Sequence, residues 1–347
     1  MIQNIQVLRG LAALLVVIVH CEAIIKSFGN FHYIGIAAST GVDLFFVISG
    51  FIMVYTSDRN GPTPLGFFAN RVARVAPLYW LLTIAIFAIA VLQPQLLGAT
   101  KASLSNLVNS LAFWPYLRDD GKVAPLLFLG WTLNYEMMFY AVFALCLFIK
   151  DLNLRVLVAI GVLVSMTVLG QAITFENVPA LFFTRPVILE FALGMIVARI
   201  YAILPHSKRA AVIALCLAII ALPAMLLAAV LSSSMLPIAG IPAAVLVVAA
   251  LIMDRGGLSL SWRPLVAIGD ASYSLYLTHP FVAQVVIKLS NKLQPLSLPL
   301  SLLVILVIYA ISITLALLVY RTLEIPMTRV ARRLLHLSRP KNPAGAL

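Results

Sequence analysis

The feature that most limits what this chain can become is its first apolar run, Val7 to Ile25. It reads VLRGLAALLVVIVHCEAII, long enough to cross a bilayer, yet it carries Arg9 and His20. Eleven residues make about three helical turns and roughly 16 Å of rise, so the two side chains fall on nearly one face. Ionisable groups at membrane depth turn towards a bundle interior or a polar cavity. One face of this helix is therefore expected to line such a cavity, with a fixed cation low down and a titratable imidazole higher up. The plain alternative is an arginine reaching to the boundary and a histidine satisfied by a neighbouring helix.

Further apolar runs follow, giving expected spans at about 7–25, 39–56, 76–93, 126–149, 154–173, 180–201, 209–230, 235–253, 265–288 and 299–321. Only 10% of the residues are charged, where a soluble domain carries about a quarter. The expected fold is an all-α, polytopic integral membrane helix bundle of about ten transmembrane helices. The net charge of +12 does not point to nucleic acid, because the basic residues sort by side. Segments on the side of the N-terminus hold Arg59, Arg71, Arg74, Lys150, Arg155, Lys208, Arg209, Arg255 and Arg263, and the opposite loops hold few. By the positive-inside rule both termini are cytoplasmic. Residues 1–325 read as the membrane domain and 326–347 as a basic cytoplasmic tail, in which Arg329, Arg332, Arg333, Arg339 and Lys341 suit anionic lipid headgroups. No cleavable-signal pattern opens the chain, so the first span is expected to be retained. Cys21, Cys146 and Cys216 fall in apolar runs and read as packing residues.

Charge recurs within these runs in two layers. The cytoplasmic layer holds Arg9, Arg71, Arg74, Asp270 and Glu324. Arg71 and Arg74 are three apart, hence on one helix face, and suit a phosphate or pyrophosphate; their plain role is anchoring at the inner surface. Pro77 is expected to open the third span, where a first-turn proline is tolerated. The middle-to-outer layer holds His20, Asp43, Glu136, Arg185, Glu190 and His279. Asp43 sits about a turn inside the second span, and Glu136 falls near mid-membrane. Arg185 and Glu190 either neutralise each other or serve separate partners. His279 lies roughly 20 Å above the inner end of the ninth span, nearly the height of His20, and Pro280 after it frees a backbone carbonyl. The longest outer loop, about 94–125, contains SLSNLVNSLAFWPYL, too short to span and suited to capping the cavity. Two polar layers imply a path running partway through the membrane. The His and carboxylate positions show no short ligand spacing, so no metal is proposed.

Five segments then line up in order: LRGLAALLVVIVH with Arg9 and His20, GVDLFFVISGFIM from Gly41, FFANRVARVAPLYW from Phe67, WTLNYEMMFY from Trp131 and GDASYSLYLTHP from Gly269. Together they resemble the membrane-bound acyltransferase 3 family, in the style of exopolysaccharide O-acetyltransferases of the ExoZ type. Thr132 stands where the family form has Ser, a conservative change. Some relatives add a soluble hydrolase-like domain, which is not expected here because the chain ends soon after its last span.

The resemblance implies transfer of an acyl group, commonly acetyl from acetyl-CoA, to a sugar hydroxyl of an envelope polysaccharide or its lipid-linked precursor. The implied setting is a bacterial inner membrane. A compatible mechanism gives the CoA phosphates to Arg71 and Arg74, with Arg9, and runs the pantetheine arm up the cavity towards His20 as general base. Glu136 or Asp43 would orient His20, and His279 would share the proton chemistry or bind the acceptor. Without a G-x-S-x-G signature, direct transfer is simpler than an acyl-serine route. The partners are then acyl-CoA, a glycan acceptor and membrane lipids. Succinyl in place of acetyl, and pairing as a homodimer, stay open. The main rival is a multi-span transporter or flippase, which predicts internal repeats and interrupted helices in both halves; no clear repeat is present. A polysaccharide polymerase would need large outer loops with several arginines, whereas the one moderate loop here has Arg118 alone.

Overall fold

A computed structural model describes residues 2–26, 32–96, 103–231, 238–293 and 296–337, so Arg339 and Lys341 of the expected tail lie outside the described residues. The first half of the chain runs α1 (Gln3–Val19), α2 (Glu22–Lys26), α3 (His32–Ser39), α4 (Gly41–Asn60), α5 (Pro64–Leu92), α6 (Leu104–Leu111), α7 (Gly130–Cys146) and α8 (Leu152–Ala172). The second half runs α9 (Val178–Phe183), α10 (Leu189–Ile200), α11 (Lys208–Leu231), α12 (Gly240–Arg255), α13 (Arg263–Asp270), α14 (Ser272–Ser290), α15 (Leu298–Val319) and α16 (Ile325–Leu334). Among the described residues the only β element is an isolated bridge between Leu117 and Val123.

Six stretches of the described residues are long and apolar enough to cross a membrane: Tyr33–Asp58, Pro64–Leu92, Leu152–Ala172, Pro186–Ile203, Lys208–Leu231 and Leu298–Leu334. The four other runs expected to span hold α1, α7, α12 and the pair α13–α14. Two of those runs are broken. Helix α1 stops at Val19, with His20 as its C-cap, and the chain turns at Cys21 before α2. The ninth run divides at Ala271, between α13 and α14.

Helices α1 and α4 stand at the centre because both are apolar on more than one face. One core packs α4 against α5, α7, α8 and α10; a second packs α1 and α4 against α10, α11 and α12; a third packs α1 and α2 against α14 and α15. Small residues permit the closest approaches. A Cβ on Gly194 of α10 would stand 2.0 Å from the carbonyl oxygen of Val47 on α4, and one on Gly269 of α13 would stand 2.0 Å from that of Gln6 on α1. Asn4 fastens the start of α1 from inside: its Nδ2 donates to the carbonyls of Ala250 and Leu258, each at 3.1 Å, and its Oδ1 accepts from the Leu260 amide at 2.7 Å.

Pro77 does not open a helix. It lies inside the 29-residue α5, which starts at Pro64. Thr63 and Pro64 form the stronger start: the Thr63 hydroxyl accepts from the Gly66 amide at 3.1 Å, and a proline at the first helical position gives up no bond. The extra turns before Pro77 are what place Arg71 and Arg74 on a continuous helix. The loop after α5 supplies α6, held to α5 by Trp80 Nε1 donating to the Leu111 carbonyl at 2.8 Å and the Tyr79 hydroxyl donating to that of Ser110 at 3.1 Å. The tail begins as a helix, α16, which follows a π-helical turn at Tyr320–Glu324.

Candidate active site

A cavity of about 100 Å³ opens between α1, α4, α5, α7 and α14, and its polar lining includes Arg9, Arg71, Arg74, Ser49, Glu136 and Tyr276. Each arginine is held differently. Arg9 is buried on α1 and donates to Gln6 Oε1 at 3.1 Å and to Ser272 Oγ on α14 at 2.9 Å. Arg71 donates to Thr56 Oγ1 at 3.2 Å, and its guanidinium lies 5.4 Å from the Phe67 ring and 5.9 Å from the Tyr140 ring. Arg74, one turn further along α5, has a buried Nη1 with no hydrogen-bond partner. A guanidinium with a dry, unused donor facing a cavity is prepared for an anion.

Glu136 joins this pocket rather than the histidines. Its Oε1 accepts from Ser49 Oγ at 3.4 Å and from the hydroxyl of Tyr140, one turn on along α7. Asp270 and Glu324 join the arginines, both within Coulombic reach of Arg9 and Arg74. Glu324 is buried and accepts from Ser274 Oγ at 2.6 Å.

The two histidines meet. Their rings stand edge to face with centroids 4.7 Å apart, and His279 Nε2 lies 3.1 Å from His20 Nδ1. His279 is fully enclosed and His20 half-buried. The hydrogen bonds fix which nitrogens carry protons. A carbonyl only accepts, so His279 Nδ1, 2.8 Å from the Leu275 carbonyl, carries a hydrogen. In a neutral ring its Nε2 is then a lone-pair nitrogen that accepts from His20 Nδ1–H, which also lies 3.3 Å from the Val16 carbonyl. His20 Nε2 is left as the lone-pair nitrogen of its ring, the form a general base requires.

Tyr276 stands between pocket and histidines. It lines the cavity, its ring lies 6.3 Å from that of His279, and its hydroxyl meets Thr132 Oγ1 at 2.8 Å. Phe45 faces it from α4 at 6.3 Å. The sequence marks Tyr276 only by its place one turn before His279, and Tyr140 by its place one turn after Glu136; neither is ionisable near neutrality, so neither stands out. Asp43 lies apart from the histidines, against Glu190 on α10, whose fully buried carboxyl has no other hydrogen-bond partner. Arg185 serves a separate partner from Glu190, its guanidinium lying 5.5 Å from the Phe182 ring.

A family model described as an acyltransferase domain matches residues 2–321 of the chain. The chain is also 38% identical over 263 residues to the exopolysaccharide production protein ExoZ of Rhizobium meliloti (strain 1021), an overlap that covers 74% of this chain and 80% of that relative. No solved structure matches it.

Proposed function

The chain belongs to the acyltransferase 3 family, and from that premise we propose that it moves an acyl group, acetyl foremost, from acyl-CoA to a sugar hydroxyl of an exopolysaccharide or related envelope glycan. We place it in a bacterial inner membrane, with both termini and the arginine pocket on the cytoplasmic side, where CoA thioesters reside. The relative's name supports the exopolysaccharide, and the basic pocket supports a phosphate-bearing donor.

The observation that carries the reading is the His20–His279 contact, which leaves His20 Nε2 with a lone pair, and His279 lies one turn beyond Tyr276 of the pocket lining. In the proposed reaction Arg71 and Arg74, with Arg9, bind the donor phosphates, and the pantetheine arm follows the cavity outward. His20 Nε2 takes the sugar hydroxyl proton as that oxygen attacks the thioester carbon. The tetrahedral intermediate collapses, the carbon–sulfur bond breaks, and the CoA thiolate recovers the proton from the imidazolium. His279 holds the place that a carboxylate fills in other acyl-transfer sites: its Nε2 accepts the His20 Nδ1–H bond and fixes the ring's orientation. Glu136 and Asp43 have other partners, so neither is needed for that role.

The test is transfer from labelled acetyl-CoA to envelope polysaccharide in membranes, with wild type and His20→Ala at matched expression. The variant is expected to lose about 10²- to 10⁴-fold in turnover, the usual share of a general base, while still binding CoA. Full activity in the variant removes His20 from the mechanism. No transfer by wild type from any of several acyl-CoA donors overturns the acyl-CoA reading.

A further inference from the structure

The basic residues of the C-terminal helix are not equivalent. Arg329 and Arg333 are exposed, whereas Arg332 is half-buried, its Nε enclosed with no hydrogen-bond partner. Helix α16 packs against α5 and brings Arg332 within Coulombic reach of both Arg74 and Arg71. It does not line the cavity itself, so it stands beside the pocket arginines rather than among them. The π-helical turn at Tyr320–Glu324 sets this up. It drops Glu324 onto Ser274 and joins α15 directly to α16. Single π turns of this kind recur at functional sites.

The local charge is unbalanced. Arg9, Arg71, Arg74 and Arg332 are met by three carboxyl groups, those of Glu136, Asp270 and Glu324, and Glu136 is already engaged by Tyr140. Guanidinium groups that repel one another, two of them with dry unused donors, are brought into register by an anion. A donor whose thioester enters first presents its phosphates in a fixed order: the pyrophosphate, then, further out, the phosphomonoester on the ribose. The pocket-lining arginines precede Arg332 in the same order.

We propose that Arg332 binds the 3′-phosphate of the CoA donor, so that α16 forms the cytoplasmic wall of the donor site. The proposal rests on the acyl-CoA reading above. It makes the C-terminal helix part of the substrate site and gives the enzyme a means of preferring CoA over its dephospho form. A phospholipid headgroup offers Arg332 the same phosphate chemistry, and the test separates the two sources.

The full-length protein in phosphatidylcholine nanodiscs is titrated with CoA and with 3′-dephospho-CoA. Wild type should favour CoA by about tenfold or more, and Arg332→Ala should weaken CoA by roughly 10- to 100-fold, as expected for a charged hydrogen bond, while dephospho-CoA changes by less than about twofold. Arg332→Lys should recover part of the preference. Should Arg332→Ala fail to fold in a melting assay, Arg332→Gln, which keeps most of the stem, answers the same comparison. Equal weakening of both ligands, or of neither, overturns the proposal. So does an effect that emerges only when phosphatidylglycerol replaces phosphatidylcholine, which would assign Arg332 to lipid. Absence of CoA binding in wild type would instead remove the acyl-CoA reading itself.

Discussion

His279 Nε2 lies 3.1 Å from His20 Nδ1, and the two rings cross at 80°. The partner of the proposed base is thus a neutral ring whose own proton is committed to the Leu275 carbonyl. Its acceptor nitrogen is fixed by backbone, not by a second acid. The contact matters most when His20 becomes positively charged, because a hydrogen bond to a charged donor is about twice as strong as one between neutral groups.

Removing that acceptor should therefore reduce turnover and spare donor binding. His279→Ala is expected to lower kcat by roughly 10- to 100-fold, equivalent to about 1.5–3 kcal/mol, with KM for acyl-CoA unchanged. In a His20→Ala background the same substitution should cost nothing more, because the two rings act as a unit. Independent, additive losses in the double variant would show that His279 serves something other than His20.

Arg74 and Arg9 should fail in opposite ways. Arg74 Nη1 has no partner, so Arg74→Ala breaks no bond there and is expected to raise KM for acyl-CoA about tenfold or more with melting temperature unchanged. Arg9→Ala removes the buried bonds to Gln6 and Ser272 and should destabilise the fold by about 1–3 kcal/mol. Paired measurements of KM and detergent melting distinguish these outcomes.

Phe45 and Tyr276, whose rings are 6.3 Å apart, both line the pocket. Phe45→Ala enlarges it, and the expected result is a shift in kcat/KM towards propionyl- and butyryl-CoA relative to acetyl-CoA. One methylene in an apolar pocket changes discrimination by about 10- to 200-fold, so the shift is measurable in competition assays. An unchanged acyl preference would place the acyl group elsewhere.

Packing predicts a third kind of failure, at a distance from the chemistry. A methyl at Gly194 would lie 2.0 Å from the Val47 carbonyl oxygen, an overlap of backbone that no rotamer relieves. Gly194→Ala is expected to force α10 off α4 and destabilise the protein by about 1–3 kcal/mol or more, read as a lower melting temperature in detergent. Gly161→Ala, where a Cβ meets nothing within 4 Å, is the matched control on α8.

The legible parts of this site were those where a residue contradicts its surroundings. Arg9, Arg71, Arg74 and Glu136 stand out because a charge in an apolar run demands a reason, and all four line one cavity. The equal heights of His20 and His279 followed from counting helical rise, and the rings do meet. What counting along separate helices does not supply is azimuth across a bundle. Nothing across a separation of 259 residues says that His20 turns to His279 while Asp43 turns to Glu190. The helix starts misled for a local reason: Pro77 and Thr63-Pro64 both fit the opening of α5, and the hydroxyl cap decided between them. The turn at His20–Cys21 carries neither Gly nor Pro, so no residue announces it.

The longest-range side-chain hydrogen bonds of the first segment all end late in the chain: Asn4 bonds to Ala250 and Leu258, Arg9 to Ser272, and His20 to His279. The first helix is made long before any of them. At about 5–20 residues per second of synthesis, the polypeptide waits for tens of seconds between the emergence of His20 and that of His279. Through that interval the nascent protein lacks the partners that hold Arg9 and His20. Under the proposed mechanism, activity begins only once His279 has emerged, and a shorter product cannot squander thioester.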